Sequence, residues 1–408
     1  MTEFSLSRIK NLRFKSSVYR KQFLDIADAV CSCQEASRTS ADLAAYMQRL
    51  LHHLLHGQNA VHNGISSTTM DDLLSFTDNY TSWLNSFTLT SGIALHEDST
   101  GPWRRRIMTS AHQSDLSTFS RLVRFWPVDG SSTFSPLIGE PIKPEQDVGL
   151  ATYQSEPVNV EVFSGSSILS PGQRTGEIRR VDRILSPLAA SEVGTIRCIG
   201  LNYLNHAKEA NLDVPTVPTL FMKPSTSLAD PYPAPTVIPR LFKQDDAADY
   251  ESEVAVIIGK NCKNVSEEEA MDYVLGITAS NDVSSRKAQF AQSQWCYSKS
   301  FDGACPIGPA VVHKSQIETM GKVVIKGQLD GKTVQESALD DLIFSIPKII
   351  SFISKGSTLP AGTVILTGTP AGVGWMRSPK TLLKGGSEMR IHVSHGVGTL
   401  INKIEDEK

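Results

Sequence analysis

Two acids with a single residue between them are the first sign of chemistry in this chain: Glu251 and Glu253, in 249-DYESEVAVIIG-259. The run that follows, Val254 to Ile258, is made of residues that favour strands, and in a strand side chains two apart share a face. Two carboxylates aimed the same way at the mouth of a buried strand repel each other unless a cation neutralises them. The alternative is an acidic strand end left in solvent. A third acid comes from 276-GITASNDVSSR-286, which reads as a strand whose far end presents Asn281-Asp282, with Arg286 four residues on. Three carboxylates without histidine or thiolate partners suit a hard ion with oxygen ligands, Mg²⁺ or Mn²⁺, with Ca²⁺ as a further choice. Such an ion keeps waters and so leaves positions for a chelating substrate. Spacing alone does not bring Asp282 to the glutamates.

A second group lies in 202-NYLNHAKEAN-211. His206 and Glu209 are three apart, which on a helix places them on one side, close enough to share a water. Taken alone, this pattern is also that of an ordinary surface pair. The third group is cationic: Lys223 in 220-LFMKPS-225, Arg286, and Lys299 in 298-SKSFDG-303. Lysines are usually solvated, but apolar or aromatic residues flank these two. The Gly-rich run 367-TGTPAGVGW-375 lacks the Lys-Ser/Thr ending of a phosphate loop and does not fit G-x-G-x-x-G, so it gives nucleotide binding little support. His52, His53 and His56 have helical spacing but no acid or cysteine at ligand distance, and read as surface or partly buried histidines.

The elements that must position these groups occupy the later part of a 408-residue chain, long enough for two or three domains. Short Val/Ile-rich runs dominate from 195 to 408: 254-VAVIIG-259, 310-AVVH-313, 323-VVIKGQLDG-331 and 363-TVILTG-368. Helical patterns are fewer. The stretch 266-SEEEAMDYV-274 carries an acidic first turn behind Ser266 as N-cap, and 342-LIFSIPKIISFIS-354 is expected to be broken by Pro347. Upstream, 120-SRLVRFWPVDG-130 reads as a strand ending in an Asp-Gly hairpin turn, the first of several short β-like runs to about 190.

Residues 1–118 differ in character. Their basic opening reads as a solvated helix face or an Arg-rich transit peptide. Residues 41–57 read as a helix stopped by Gly57, and 64–118, rich in Ser and Thr, as a loosely ordered linker. A net charge of −3 argues against a protein built to bind nucleic acid, and no apolar run of about 18 residues is present to span a membrane. Six scattered cysteines, including Cys31-x-Cys33, read as reduced thiols in a reducing compartment. A cytoplasmic location is expected, with a mitochondrial one as the alternative.

From about residue 119 to the end, the chain resembles the fumarylacetoacetate hydrolase family. The resemblance rests on separate motifs in the expected order: IRCIGLNYLNHAKE (196–209), LFMKPST (220–226), DYESEVAVIIGK (249–260), GITASNDVSSR (276–286), QWCYSKSFDGACPIGP (294–309), IFSIPKIISFIS (343–354), LTGTPAGVG (366–374) and GVGTLIN (396–402). It implies a mixed, mostly β fold. A small β-rich domain, 119–190, would precede a catalytic domain with a twisted β-roll, 195–408, after a largely helical or disordered extension, 1–118. A homodimer is also implied.

In that family, the positions matching Glu251, Glu253 and Asp282 hold a divalent metal. Those matching His206 and Glu209 activate water on a lid segment, and Lys223, Arg286, Lys299 and Thr369 match positions that contact the substrate or its developing charge. Many members place an acid directly after the arginine, where this chain has Lys287, and that exchange leaves open what tethers Arg286. The reaction implied is metal-dependent hydrolysis of a C–C bond in an acylpyruvate or related β-diketo acid, through an enolate on the metal. Without attacking water, the same site would decarboxylate oxaloacetate; proton transfer alone would tautomerise it. A reading of another class is a binding or regulatory protein with an idle domain, which loss of a metal ligand would favour.

Overall fold

The structure is a computed structural model that describes residues 119–128, 135–244, 246–317 and 320–408. The readings made for residues 1–118, including the 41–57 helix, its histidines, Cys31-x-Cys33 and the linker, lie outside the described residues. So does the Asp129-Gly130 turn.

The described part is mostly β. Four strands, β1 (Arg121–Pro127), β2 (Leu137–Pro141), β3 (Asn159–Phe163) and β4 (Arg174–Leu185), pair antiparallel in a ring, β1 with β2, β2 with β3, β3 with β4 and β4 back to β1. The expected β1–β2 hairpin is therefore present. The strands that follow are β5 (Thr195–Gly200), β6 (Thr219–Pro224), β7 (Leu228–Ala229), β8 (Thr236–Ile238), β9 (Ala248–Asp249), β10 (Ser252–Ile258), β11 (Val274–Asn281), β12 (Ser284–Ser285) and β13 (Cys305–His313). The last five are β14 (Val324–Leu329), β15 (Lys332–Ala338), β16 (Val364–Leu366), β17 (Glu388–Val393) and β18 (Gly398–Asp406). The main sheet continues from β1 in the order β13-β11-β10-β16-β5-β6, and a second sheet runs β15-β14-β17-β18-β8.

The apolar run of β10 follows from its place at the centre of the main sheet. All seven of its residues are buried. Val254, Val256 and Ile258 enter one core, which the second sheet covers with Ile325, Met389, Ile391 and Leu400. Ala255 and Ile257 enter the other, with Ile196, Cys198, Ile307 and Leu366. A strand buried on both faces has no polar alternation, which is why this stretch reads as a continuous hydrophobic run.

Helices are short: α1 (Val148–Tyr153), α2 (Leu204–Glu209), α3 (Arg240–Gln244), α4 (Arg286–Phe290), α5 (Cys296–Lys299) and α6 (Ile346–Ser354). Pro347 does not break α6. It lies in the first turn, where its missing N–H has no partner in any case, and the Ser345 side chain caps the helix by accepting from Lys348 N. Ile346, Ile349, Ile350 and Ile353 then bury one stripe in the first core. The expected helix at 266–274 shrinks to a 3-10 turn, Ala270–Tyr273. Ser266 and Glu269 do form the reciprocal cap, but β11 begins at Val274 and leaves no room for more turns. The described cysteines, Cys198, Cys262, Cys296 and Cys305, are free thiols. Among the described residues, no helix is long and apolar enough to cross a membrane.

Candidate active site

The ladder between β10 and β11 assembles the acids. Ser252 pairs with Asn281 across it, so Glu251, just before β10, and Asp282, just after β11, meet at the same end, and Glu253 lies one residue into β10. One carboxylate oxygen from each of Glu251, Glu253 and Asp282 lies within 4.8 Å of the others, and all three residues are buried. The spacing of the glutamates thus produces the shared face expected of it, and Asp282 converges with them.

The three acids are not held alike. Asp282 accepts from Lys223 Nζ at 2.5 Å and from Lys299 Nζ at 3.0 Å. Glu251 accepts from Lys299 Nζ at 2.8 Å and from Arg286 Nη1 at 2.5 Å. Glu253, 1% exposed, takes a hydrogen bond from the Gly368 amide at 2.6 Å, and among the described residues no ion pair reaches it. Burial, reinforced by the charges of Asp282 and Glu251, pushes the Glu253 carboxyl well above its usual range. Burial would do the same to Glu251, but the Lys299 ammonium and Arg286 guanidinium outweigh it and hold that carboxyl down, to about 2. Burial opposes charge on Lys299, yet Asp282 and Glu251 keep its pKa raised. Three converging oxygen donors, one of them without a cation, fit a hard divalent ion, which would neutralise Glu253.

Helix α2 brings His206 to the same cavity as Glu251. His206 Nδ1 lies 3.0 Å from Glu209 Oε2, so the expected pairing is present. Both Glu209 oxygens also accept from Gly372 N, at 2.9 and 3.0 Å, which ties α2 to the Gly-rich loop. Burial would raise Glu209, but the bonds from His206 and Gly372 lower it overall. This loop cradles carboxylates with its amides: Gly368 serves Glu253, Gly372 serves Glu209, and Gly374 serves Asp249. Gly368 and Gly372 have φ of +101° and +108°, where a Cβ would strain the chain. The run that fits no phosphate motif therefore binds acids of its own protein.

Arg286 is clamped from three sides. Its Nε donates to Asp249 Oδ2 at 2.8 Å, while Nη1 donates to Glu251 and to Gln289 Oε1 at 2.9 Å. The tether left open by Lys287 thus comes from Asp249, Glu251 and Gln289. Its remaining nitrogen, Nη2, is buried without a hydrogen-bond partner. Thr369 Oγ1 donates to Ser252 O at 3.1 Å and accepts from Gln335 Nε2 at 2.7 Å. Asp249, Gln289 and Gln335 escaped the sequence reading. Asp249 was in view, two residues before Glu251, but its partners are distant in sequence. Nothing in the sequence singles out the glutamines.

A cavity of about 320 Å³ is lined by the buried Glu251, Arg286, Lys299, Gln289 and Thr369, together with His206. Phe290, Trp295, Trp375, Met376, Leu201 and Leu212 also line it, and of these Phe290, Leu212 and Met376 are exposed. Lys223 is not among the lining residues; it lies fully buried behind Asp282, where it also donates to Ala304 O.

A model of the fumarylacetoacetate hydrolase C-terminal domain matches residues 195–405, and the chain belongs to the fumarylacetoacetate hydrolase family. Within it, a caffeoylpyruvate hydrolase from Neonothopanus nambi is 42% identical over 297 residues, spanning 72% of this chain and 95% of that protein. A mitochondrial oxaloacetate tautomerase from Homo sapiens is 37% identical over 209 residues, spanning 51% of this chain and 65% of its own length, just under two thirds. Among solved structures, a 5-carboxymethyl-2-hydroxymuconate delta-isomerase from Mycobacterium smegmatis matches with a TM-score of 0.57 and 28% identity, over 70% of this chain and all of that one.

Proposed function

We propose that the protein is a metal-dependent hydrolase that cleaves the C–C bond of an acylpyruvate or related β-diketo acid. The observation that carries this reading is one cavity lined by Glu251, His206, Arg286 and Lys299, with Glu253 and Asp282 converging on Glu251 and Glu209 paired to His206. The similarity to caffeoylpyruvate hydrolase, along nearly the whole of that protein, supports it. Glu251, Glu253 and Asp282 would hold Mg²⁺ or Mn²⁺, and the ion, when bound, supplies Lewis-acid polarisation of the 2-oxo acid.

The rest of the chemistry falls to the chain. With Glu209 accepting from Nδ1–H of His206, Nε2 is unprotonated and is the acceptor. It takes a proton from water as the oxygen adds to the distal carbonyl carbon, and Glu209 stabilises the imidazolium that results. The C3–C4 bond then breaks, the acyl part leaves as a carboxylate, and the electron pair passes to the pyruvoyl part. Charge developing there faces the Lys299 ammonium and the Arg286 guanidinium. Return of the proton to C3 yields pyruvate. Lys223 acts by holding Asp282, and Thr369 by fixing the loop that carries Gly368.

A second reading, oxaloacetate tautomerisation, is favoured by the similarity to the human tautomerase. It needs proton transfer but no water attack. Steady-state assays with acetylpyruvate and oxaloacetate at saturating Mg²⁺ separate the two. Release of pyruvate from acetylpyruvate supports hydrolysis. Enol–keto conversion of oxaloacetate with no cleavage of acetylpyruvate supports the tautomerase.

A further inference from the structure

We propose that the exposed side of the cavity, where Phe290 and Trp375 stand, is a clamp for a flat aromatic acyl group, with these two residues setting the specificity. The proposal rests on the acylpyruvate reading and narrows it to aryl or aryl-vinyl substrates.

One short helix carries both a cation and an aromatic ring of the cavity wall. Arg286 and Phe290 stand at the two ends of α4, four residues apart, and so lie on one side of it. The guanidinium meets the acids, while the Phe290 ring lines the cavity and is 61% exposed. Four residues of helix rise about 6 Å. A ligand filling both ends needs an anionic group and, about one turn away, an apolar one. The second wall is tied to the same anchor. Trp375 N donates to Asp249 Oδ2 at 2.9 Å, the oxygen that also accepts from Arg286 Nε.

The two rings make an open corner. The Phe290 and Trp375 centroids are 5.8 Å apart with the planes tilted by 41°. Lys380 Nζ sits 3.0 Å from the centre of the Trp375 ring and pins the indole. Such a corner leaves aromatic faces and edges for a third ring, in the offset or edge-on arrangements that aromatic groups prefer. Trp295 also lines the cavity, and its indole packs on Gly200, where an added Cβ would meet the ring at 2.2 Å. A short substrate such as oxaloacetate would leave the exposed Phe290 ring in water; a phenyl group would cover it.

The test compares benzoylpyruvate with acetylpyruvate in the full-length protein with Mg²⁺. Wild type should favour the aryl substrate in kcat/KM by about 10-fold or more. Phe290→Ala and Trp375→Leu should each cut that preference by about 3- to 10-fold, mainly through KM for the aryl substrate, and Phe290→Tyr should retain it. Calorimetric binding of benzoylformate against pyruvate gives a readout independent of cleavage, with the same order expected. If neither acylpyruvate is cleaved but benzoylformate binds more tightly and loses that advantage in the variants, the clamp stands and the hydrolase reading falls. No aryl preference in wild type in either measurement, or equal loss for both ligands in the variants, overturns the clamp.

Discussion

Asp249→Asn tests whether the framework behind Arg286 has been read correctly. Both carboxylate oxygens of Asp249 are double acceptors: Oδ1 takes Tyr250 N and Gly374 N at 2.9 Å each, and Oδ2 takes Arg286 Nε at 2.8 Å and Trp375 N at 2.9 Å. Asparagine keeps the shape but replaces one acceptor with an NH₂ donor. Either orientation of the amide therefore turns a donor against two N–H groups. A buried N–H left without its acceptor costs about 1–3 kcal/mol, and breaking a buried ion pair about 3–5 kcal/mol. These losses share atoms and do not add in full, so about 3–5 kcal/mol is expected. For a domain of this size, at about 2–4 °C per kcal/mol, the melting midpoint should fall by roughly 6–20 °C. Tryptophan fluorescence during heating reads this directly. KM for the acid substrate should rise as well, because Arg286 loses a fixed partner. A midpoint within about 2 °C of wild type, with KM unchanged, would refute the reasoning.

Three further outcomes follow from the same geometry. His206→Ala should slow acylpyruvate hydrolysis by about 100-fold or more, the scale of a lost general base, while oxaloacetate turnover by decarboxylation falls much less; equal losses would sink water activation. Glu253→Gln, in chelator-treated protein at neutral pH, should be as stable as wild type or more so, because burial beside two acids raises the Glu253 pKa and makes its charged form unfavourable; the variant should also lose the rise in melting midpoint that Mg²⁺ or Mn²⁺ gives wild type. Asp147, which accepts from Thr399 and caps α1, is held to about 2 against 3.8 unfolded; burial opposes this shift, and the His392 imidazole 3.6 Å away, with hydrogen bonds from Thr399 and the Leu150 amide, outweighs it. Its contribution, about 2 kcal/mol, is therefore present above pH 4 and lost as pH falls from about 4 towards 2, so the stability gap between wild type and Asp147→Asn, followed by urea denaturation, should close over that window.

Local patterns were legible where the chemistry repeats at the period of its element. Glu251 and Glu253 share a face because a strand alternates, and His206 meets Glu209 because a helix turns. The convergence of Asp282 depends on the β10–β11 register, which spacing does not state and which the family resemblance supplied instead. Asp249 and Gln335 were out of reach for a related reason. Asp249 is defined by amides more than 120 residues away, at Gly374 and Trp375, and Gln335, on the second sheet, bridges Ser252 N of the main sheet to Thr369 in the loop after β16. The Gly-rich loop carries no phosphate signature; its amides face carboxylates of the protein. Pro347 reads as a breaker in sequence because a proline in the first helical turn and one that breaks a helix look alike until the cap at Ser345 is known.

The central claim is metal-dependent cleavage of an acylpyruvate between C3 and C4. It is tested most directly by incubating the purified protein with benzoylpyruvate and quantifying both products, with Mg²⁺ and with excess chelator. The account predicts pyruvate and benzoate in equal amounts with Mg²⁺, and loss of both on chelation. Undiminished cleavage in chelator, or substrate enolised but intact in Mg²⁺, would contradict it.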